Sequence, residues 1–401
     1  MQKPGSATTT RTNFDLNVRA SARKEVQMNK TKISNHVRLI AFFLTAVILV
    51  CTFGFTVDGW QNKDGQNSPP NEDNKESSEN DDPTDAPADT NPPPDEGEIP
   101  DIYIPKYTNR LTGLECSEEI VNNVPLAFIM NSEDKYYGIS SSDILIEIPI
   151  EEDKTRLISF ITNTDDLWKI GSICPTRGYL NNISKYFGAL GVFYGQDDRV
   201  SYESCDVTFS SIDLSKSSGC YYTEFSDKAY TNKDLIEASL VSSGIKDTSQ
   251  SEAALPFNFV DFTKDNITYD TIANKAEIST SKEQKEFIYN SENGTYTYKN
   301  NGVILTDALN GKPLNFTNCF ILFADSITYD YFDCNQTVID TIGSGKGYYF
   351  TNGSVTEIRW TATSTGILNF YSPTGEKLTI NRGNSYIGYV KSSRYDHVIF
   401  S

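Results

Sequence analysis

Histidine is the scarcest residue of catalytic importance in this 401-residue chain, which contains only His36 and His397. Catalysis by an activated Ser or Cys needs an imidazole to carry the proton, and common zinc sites use His and Cys ligands. The sequence has no Cys-x-x-Cys pair either. We therefore expect neither histidine-dependent catalysis nor a zinc site of the His/Cys kind. We assign no other metal site and no cofactor.

Basic side chains are also in deficit, and this limits the partners that the protein can bind. The sequence has 35 Lys and Arg residues against 54 Asp and Glu residues, which gives a formal net charge of −19. Nucleic-acid binding relies on a basic surface that neutralises phosphates, so we expect no nucleic-acid partner. Disorder of the whole chain is excluded as well, because 38% of the residues are hydrophobic and 12% are aromatic.

The charge changes in steps along the chain. Residues 1–57 contain eight basic and two acidic side chains, whereas residues 58–100 contain two basic and thirteen acidic ones. Residues 101–401 are moderately acidic, with 25 basic and 39 acidic side chains. Such steps usually separate compartments or modules. We therefore divide the chain at these points.

Residues 39–57 form an apolar run of nineteen residues without a charge. A helix needs roughly 20 such residues to cross a bilayer. Arg38 precedes the run and Asp58 follows it, and the positive-inside rule places the basic side in the cytoplasm. The sequence predicts a cytoplasmic tail at 1–38, a single transmembrane helix at 39–57, and extracytoplasmic domains after it.

Three kinds of anchor are compatible with this run. A cleaved signal peptide has an apolar region of about 7–15 residues, which is shorter than the run observed. A lipoprotein would be acylated at Cys51, but Ile, Leu and Val precede that residue where a small side chain is expected. We favour an uncleaved signal anchor and keep a lipidated Cys51 as the alternative. Translation could start at either Met1 or Met28, and the sequence does not decide between them.

Residues 58–100 contain eight of the sixteen prolines and almost no large apolar side chain. Such a segment cannot bury enough surface to offset the entropy lost on ordering. Proline and like-charge repulsion also extend the chain. We predict a disordered acidic linker that acts as a spacer between the membrane and the folded part.

The folded part begins near residue 101 and is expected to contain two domains. In residues 144–150 apolar side chains alternate, and residues 156–162 form a second apolar segment after an acidic turn, which predicts a strand pair. Residues 233–243 have helical spacing. After residue 249 short Tyr- and Thr-rich segments dominate, with a hairpin turn at Asn293-Gly294. We predict an α/β domain at 101–248 and a β-rich (α+β) domain at 249–401.

Five charged residues form the most promising polar cluster of the folded part. In one interpretation the two arginines bind an anionic group in a cleft while a carboxylate acts as acid or base. In the other, the same residues form ion pairs that fix the strand pair to its neighbours. The five residues are Asp143, Glu147, Glu151, Arg156 and Arg177.

Six cysteines follow the apolar run, and an extracytoplasmic location permits disulfides between them. The pairs that we consider first are Cys205–Cys220 and Cys319–Cys334, because each would close a local loop. Buried free thiols are the equal alternative, since a domain of this size does not need disulfides to fold.

The glycine-rich segment 343–347 carries a lysine and superficially suggests a phosphate-binding loop. The spacing does not fit, because Asp340 stands where the loop needs a glycine and Gly347 stands where it needs Ser or Thr. We interpret the segment as a tight turn between strands.

Several short motifs between residues 110 and 390 are characteristic of one bacterial family. They include Leu111-Thr112-Gly113-Leu114, Val124-Pro125-Leu126-Ala127, Asn131, Ser142-Asp143-Ile144-Leu145 with Glu147, Glu151 with Thr155 and Arg156, the loop from Gly171 through Arg177 to Tyr179, and Asn381-Arg382-Gly383. In these motifs the chain resembles the YerB-like family of envelope lipoproteins, a domain of unknown function with its own C-terminal partner domain. The resemblance adds Asn131 to the candidate ligand-binding residues and implies an extracytoplasmic location, but it implies no established activity.

The chain departs from this family pattern at three places. Cys174 stands where the loop usually carries the first of two arginines, and Phe193 or a neighbour replaces an expected histidine. A second His-Asn pair is replaced around residues 219–220. If the family has a polar active centre, this member has lost much of it.

These observations favour a membrane-anchored envelope protein over an enzyme. We expect a non-catalytic binding or scaffolding module on the extracytoplasmic side, with the membrane as one partner and a cell-wall polymer or an envelope protein as another. The alternative is a hydrolase or transferase that acts on an anionic cell-wall substrate through Arg177 and Glu147 or Glu151.

Overall fold

The structure is a computed structural model of the whole chain. The residues that it describes are 103–132, 135–195, 211–217, 221–222, 228–242, 255–280, 282–331 and 334–401. The tail, the apolar run with Cys51, the linker, Cys205 and Cys220 all lie outside these residues, so the corresponding predictions stay predictions. No helix within the described ranges is long and apolar enough to cross a membrane.

The first half of the described chain contains eight strands and three short α-helices. In chain order they are α1 Glu118–Asn122, β1 Leu126–Asn131, β2 Ile144–Pro149, β3 Thr155–Ile161, β4 Ile170–Ile173, α2 Gly178–Tyr186, β5 Leu190–Phe193, β6 Ser211–Asp213, β7 Tyr221–Tyr222, β8 Ala229–Thr231 and α3 Lys233–Ser242. Short 3₁₀ helices occur at Ile139–Ser141, Glu151–Asp153 and Leu214–Lys216.

The second half, from residue 255 onward, consists of strands and one 3₁₀ helix at Ser392–His397 where it is described. The strands are β9 Asn258–Phe259, β10 Thr271–Ile272, β11 Lys275–Ser279, β12 Gln284–Asn290, β13 Thr295–Asn300, β14 Val303–Ile304, β15 Asn315–Phe316, β16 Asn318–Ala324, β17 Ser326–Tyr331, β18 Cys334–Ile339, β19 Gly343–Thr351, β20 Ser354–Ala362, β21 Leu368–Tyr371, β22 Thr379–Ile380, β23 Ser385–Lys391 and β24 Val398–Phe400. Both halves are therefore β-rich with few helices. This confirms the β-rich character predicted for the second half, whereas the first half, predicted as an α/β domain, also consists mostly of strands where it is described.

The strand pair β2–β3 forms as its alternating sequence predicts. The two strands are antiparallel, with Ile144 opposite Phe160 and Pro149 opposite Thr155. Because side chains alternate across a strand, Ile144, Ile146 and Ile148 pack in one hydrophobic cluster, whereas Leu145 packs in another on the opposite face. Glu147 points to the Leu145 face, so a carboxylate is placed inside the fold.

One large sheet joins the two halves of the chain. Fourteen of the described strands belong to it, and its main order is β10-β20-β19-β16-β23-β2-β3-β1-β4-β8-β7. The junction is the parallel pair of β2 with β23, in which Ile144 lies opposite Ser385 and Glu147 opposite Gly388. The described residues accordingly belong to one compact unit. The boundary predicted between residues 248 and 249 lies outside the described residues, and the sheet is continuous between the regions on either side.

A second sheet of β14-β13-β12-β11-β24, with β15 beside β13, covers one face of the first. The contact between the two sheets is aromatic. The rings of Phe287 on β12 and Tyr298 on β13 lie 4.6 Å and 5.6 Å, respectively, from that of Tyr386 on β23. The predicted Asn293-Gly294 turn joins β12 to β13, and Gly294 has a φ of 69°.

The segment 343–347 is not a tight turn, contrary to the prediction. It is the first part of β19 and pairs with β20 along its length. Glycine is needed there because a Cβ atom on Gly345 would lie 2.5 Å from Nε1 of the buried Trp360. The glycine at position 345 thus allows a large side chain to approach the backbone.

Candidate functional site

Arg177 forms a largely buried ion pair with Glu151, which lies in the turn after β2. The Arg177 guanidinium donates through Nη1 to Glu151 Oε2 at 2.7 Å and through Nη2 to Glu151 Oε1 at 2.6 Å. The Arg177 side chain is only 3% exposed, and that of Glu151 is 23% exposed. This two-pronged contact is the strong geometry for Arg and carboxylate, and it occupies both oxygens of Glu151.

The contact between Arg177 and Glu151 stabilises the ionised form of each side chain. Burial alone would raise the pKa of Glu151, but its hydrogen bonds from Arg177 and the nearby charges of Arg177 and Arg156 outweigh burial and lower the pKa. Burial opposes the charge of Arg177 as well, yet the contacts with Glu151 and Tyr179 raise its pKa above the ordinary value. Both groups are therefore ionised and neutralise each other at neutral pH.

Arg156 and Asn131 lie beside this pair and contact each other directly. They are opposite one another in the β1–β3 ladder, and Arg156 Nη1 donates to Asn131 Oδ1. The amide of Asn131 in turn donates to Ser172 Oγ at 3.5 Å. The structure thus pairs Arg177 with Glu151 and Arg156 with Asn131, and the charge of Arg156 acts on Glu151.

Glu147 lies at a different place, in a buried junction between the two halves of the chain. Its Oε1 accepts from Lys285 Nζ at 2.5 Å and from Thr155 Oγ1 at 2.7 Å. Its Oε2 accepts from the hydroxyls of Tyr298 and Tyr386, each at 2.9 Å. We call these five residues the Glu147 junction, and every oxygen of the carboxylate has two donors within it.

The electrostatics of the Glu147 junction keep the carboxylate charged. Burial strongly favours the neutral acid, but the charge and hydrogen bond of Lys285, with the hydroxyl donors, lower the pKa of Glu147. Burial and the neighbouring carboxylate raise the pKa values of Tyr298 and Tyr386 well above the ordinary value for a phenol. The two tyrosines consequently act as hydrogen-bond donors at neutral pH and do not release protons.

The space beside the Glu147 junction is small. A cavity of about 30 Å³ is lined by Glu147, Lys285, Asp153 and Arg394, among others. Arg394 Nη2 also contacts Asp153 Oδ1 at 2.6 Å, so the turn after β2 is fixed by Arg394 as well as by Arg177. A volume of this order holds water molecules and no larger ligand.

Asp143 is separate from both groups and lies at the start of β2. Its Oδ2 accepts from the backbone N–H of Thr162 at 2.7 Å, and its Oδ1 accepts from Asn109 Nδ2 at 3.1 Å. Burial raises the pKa of Asp143 despite these hydrogen bonds. The five charged residues predicted as one cluster are thus divided among three local networks.

Sequence reasoning missed the partners of Glu147, which come from the second half of the chain. A signal was present in the sequence of β12, because Lys285 and Phe287 are two residues apart and side chains at that spacing share one face of a strand. The structure shows that both are buried. A lysine on an inward face needs an internal anion because a lone buried charge is very unfavourable. The pattern could have predicted that Lys285 is paired, but not which carboxylate it meets.

Cys319 is a free thiol, which corrects one disulfide prediction. The Cys319 thiol is unpaired, so Cys319 forms no disulfide bond with Cys334. The physical reason is position, since Cys319 is fully buried in β16 between two neighbouring strands. Burial also raises the pKa of its thiol well above the ordinary value.

Metal ligands are not concentrated anywhere in the described ranges. No group of three or more His, Cys, Asp and Glu residues there could hold a metal ion. His397 is exposed, and its Nδ1 lies 3.0 Å from the backbone oxygen of Ser279. The arrangement of the described polar residues is thus one of internal ion pairs and hydrogen bonds.

Two models of one protein family match the two halves of the chain that the Glu147 junction joins. The N-terminal domain of the family described as Protein of unknown function (DUF3048) matches residues 111–248, and its C-terminal domain matches residues 275–387. The chain belongs to the DUF3048 family. Glu147 comes from the first matched domain, and Lys285, Tyr298 and Tyr386 come from the second, so the two DUF3048 domains share one buried network.

Comparisons with known proteins support the assignment of the chain to this family. The chain is 27% identical over 261 residues to a protein of Bacillus subtilis (strain 168) named "Putative lipoprotein YerB", covering 62% of this chain and 76% of that protein. The crystal structure of the YerB protein from Bacillus subtilis has a similar fold, with a TM-score of 0.64 and 23% identity. That match covers 74% of this chain and all of the YerB chain. The predicted resemblance to the YerB-like family is confirmed.

Proposed function

We propose that this DUF3048 protein is a membrane-attached envelope protein that acts as a non-catalytic binding or scaffolding module. The observation that carries the proposal is that Arg177, Glu151 and Glu147 are each neutralised by an internal partner. These are the side chains that the alternative, an enzyme, would use. Their contacts join strands and the two DUF3048 domains, which is a structural task.

The electrostatics of these groups support the same conclusion. A general acid or base works best when its pKa lies near the operating pH and when it can reach a substrate. The pKa of Glu147 and that of Glu151 are both lowered, and the Arg177 side chain is almost inaccessible. Using any of them in catalysis would require breaking a buried ion pair first.

An envelope location is supported by the relative in Bacillus subtilis, whose name describes it as a putative lipoprotein. The apolar run 39–57 and the basic residues before it support attachment to the cell membrane with the DUF3048 domains on the extracytoplasmic side. In this proposal the acidic segment 58–100 separates the domains from the membrane. The partner is cell-wall material or another envelope protein.

The test uses the full chain purified in detergent. It is screened by thermal shift and by pull-down against wall fragments and membrane extract, and the same fragments are assayed for turnover. We expect a retained wall or envelope partner and no turnover, and Glu118→Gln, which changes an exposed carboxylate on α1, serves as the control. Turnover that disappears in folded Arg177→Ala or Glu147→Gln would overturn the proposal in favour of the hydrolase or transferase, and so would a failure to retain any partner.

The kind of anchor has its own measurement. Mass spectrometry of the protein from native membranes distinguishes an intact peptide spanning residues 28–60 from a chain that begins at an acylated Cys51. We expect the intact peptide. An acylated Cys51 at the N-terminus would replace the signal anchor by a lipid anchor and leave the envelope location in place.

A further inference from the structure

The outer edge of the large sheet has a gap at β20. On one side β20 pairs with β19 along its whole length. On the other side β10 covers only Ser354 and Val355, and β21 covers only residues 359–362. Residues 356–358 have no strand partner on that side among the described strands, so the backbone groups there that do not bond to β19 can reach a ligand. The Glu357 carbonyl already accepts from the Thr356 hydroxyl at 3.3 Å.

An open cleft of about 430 Å³ lies over this gap and has aromatic walls. Tyr269, Tyr348 and Phe400 line it, and the rings of Tyr348 and Phe400 meet edge to face with their centroids 5.4 Å apart. Phe400 is 37% exposed although it is a large apolar side chain. A cleft of this volume with a few polar groups among aromatic ones is typical of a small-ligand site.

The charge of the cleft is negative. Asp270 and Glu357 line it, and no Lys or Arg of the described ranges does. Neither carboxylate forms a hydrogen bond or an ion pair with a side chain in the part of the chain that the structure describes. Arg359 follows two residues after Glu357 on the same face of β20, but it does not line the cleft. The two carboxylates therefore have charge available for a positive ligand, and a polyanion would be repelled.

The uncharged groups of the cleft favour a ligand that also carries hydroxyls. Burial raises the pKa of Tyr269 to about 12, so its hydroxyl stays protonated and can donate a hydrogen bond. The side chains of Thr271 and Thr356 and the backbone of residues 356–358 add further donors and acceptors. The aromatic rings can contact the apolar face of a ring-shaped ligand and attract a cation.

We propose that this cleft binds an amino sugar, a sugar that carries a free protonated amine. The amine lies between Asp270 and Glu357, the sugar ring lies against the exposed part of Phe400, and the hydroxyls bond to the gap in β20. This inference rests on the proposed function, because it names the class of wall material that the module recognises. It also excludes the anionic polymers of the wall as ligands of this cleft.

The test measures binding of a β-1,4-linked glucosamine tetramer to the full chain in detergent by calorimetry at low ionic strength. We expect binding that weakens about tenfold in Glu357→Gln, because a hydrogen bond to a charged group is lost. The matched control Glu118→Gln should bind as the wild type does. The N-acetylated tetramer has the same ring and no charge, and it should bind at least about tenfold more weakly for the same reason.

Three results would overturn the amino-sugar site. The first is that the amino and N-acetylated tetramers bind equally well, and the second is that Glu357→Gln binds the glucosamine tetramer with wild-type affinity. The third is that spermidine binds as tightly as the tetramer, which would indicate a general cation site. If the wild type retains wall or envelope partners but binds no glucosamine tetramer, the cleft assignment fails and the proposed function stands. If it binds the tetramer but retains no partner, the proposed function fails alone.

Discussion

Two glutamates of this protein, Glu147 and Glu357, have opposite surroundings. Glu147 is buried on β2 and receives four hydrogen bonds, one of them from a lysine. Glu357 is exposed on β20 and has no side-chain partner among the described residues. Glu147 therefore stabilises the contact between the two DUF3048 domains, whereas the Glu357 carboxylate is accessible to a ligand.

This difference indicates where a ligand should be sought. A buried carboxylate is tolerated only when its partners compensate for the loss of water, so a well-satisfied buried pair is evidence of a structural task. An exposed carboxylate inside an aromatic cleft has lost little hydration and keeps its capacity to bind. The largest effects on stability are therefore expected at the Glu147 junction and the smallest at the cleft.

The largest effect is expected from Lys285→Ala, which leaves the Glu147 carboxylate buried without its cation. Breaking a buried ion pair by removing one partner costs about 3–5 kcal/mol. Urea unfolding of the full chain in detergent measures the loss, and the control is Lys312→Ala, which changes an exposed lysine.

The same experiment has a second arm that isolates the unpaired charge. Glu147→Gln combined with Lys285→Met removes both charges and keeps an acceptor for the tyrosine hydroxyls. We expect this double variant to be more stable than Lys285→Ala alone. A loss in Lys285→Ala within about 0.5 kcal/mol, as is usual at the surface, would contradict the structural role of the junction.

An intermediate effect is expected from Arg177→Ala. Glu151 would lose its two-pronged partner, but Glu151 is 23% exposed and water can partly replace the guanidinium. We expect a loss of about 2 kcal/mol in the free energy of unfolding, below the range for a fully buried pair. Arg177→Lys should recover only part of it, because an ammonium cannot donate two parallel hydrogen bonds. Full recovery in Arg177→Lys would show that charge alone, and not geometry, matters here.

A smaller and gradual effect is expected from acid. The folded-state pKa values of Glu147 and Glu151 lie below the ordinary 4.5, so the stability that they contribute is present above pH 4.5. It is lost as the pH falls from 4.5 through the lowered pKa values, because the unfolded chain binds protons first. Unfolding free energies measured from about pH 7 to pH 3 should decline less in Glu151→Gln than in the wild type. If the unfolding free energies of Glu151→Gln and the wild type decline equally, the folded-state pKa of Glu151 is not lowered as assigned.

Local features of the fold could be predicted from the sequence because they depend on neighbours in the chain. The alternation in residues 144–150 predicted β2, and Asn293-Gly294 predicted the turn between β12 and β13. The helical spacing after Lys233 predicted α3. Each of these signals spans no more than about a dozen residues.

Features that depend on distant contacts could not be predicted in this way. Glu147 and Lys285 are 138 positions apart, and Glu147 and Tyr386 are 239 apart. No local pattern specifies that β2 pairs with β23 or that Trp360 needs Gly345 as its neighbour. The cleft was missed for the same reason, since Tyr269, Glu357 and Phe400 meet only in the folded protein.

The smallest effect on stability is expected from Glu357→Gln, and this variant sharpens the comparison most directly. An exposed carboxylate without a partner contributes little to folding, so the unfolding free energy should stay within about 0.5 kcal/mol of the wild type. Urea unfolding measures it beside Lys285→Ala, with Glu118→Gln as the matched control. A loss of about 2 kcal/mol or more would mean that Glu357 has an internal structural task, and the contrast with Glu147 would then collapse. If the stability of Glu357→Gln is unchanged while its affinity for the glucosamine tetramer falls, Glu357 contributes to ligand binding and not to folding. Glu147 then has the structural role, as the surroundings of the two residues indicate.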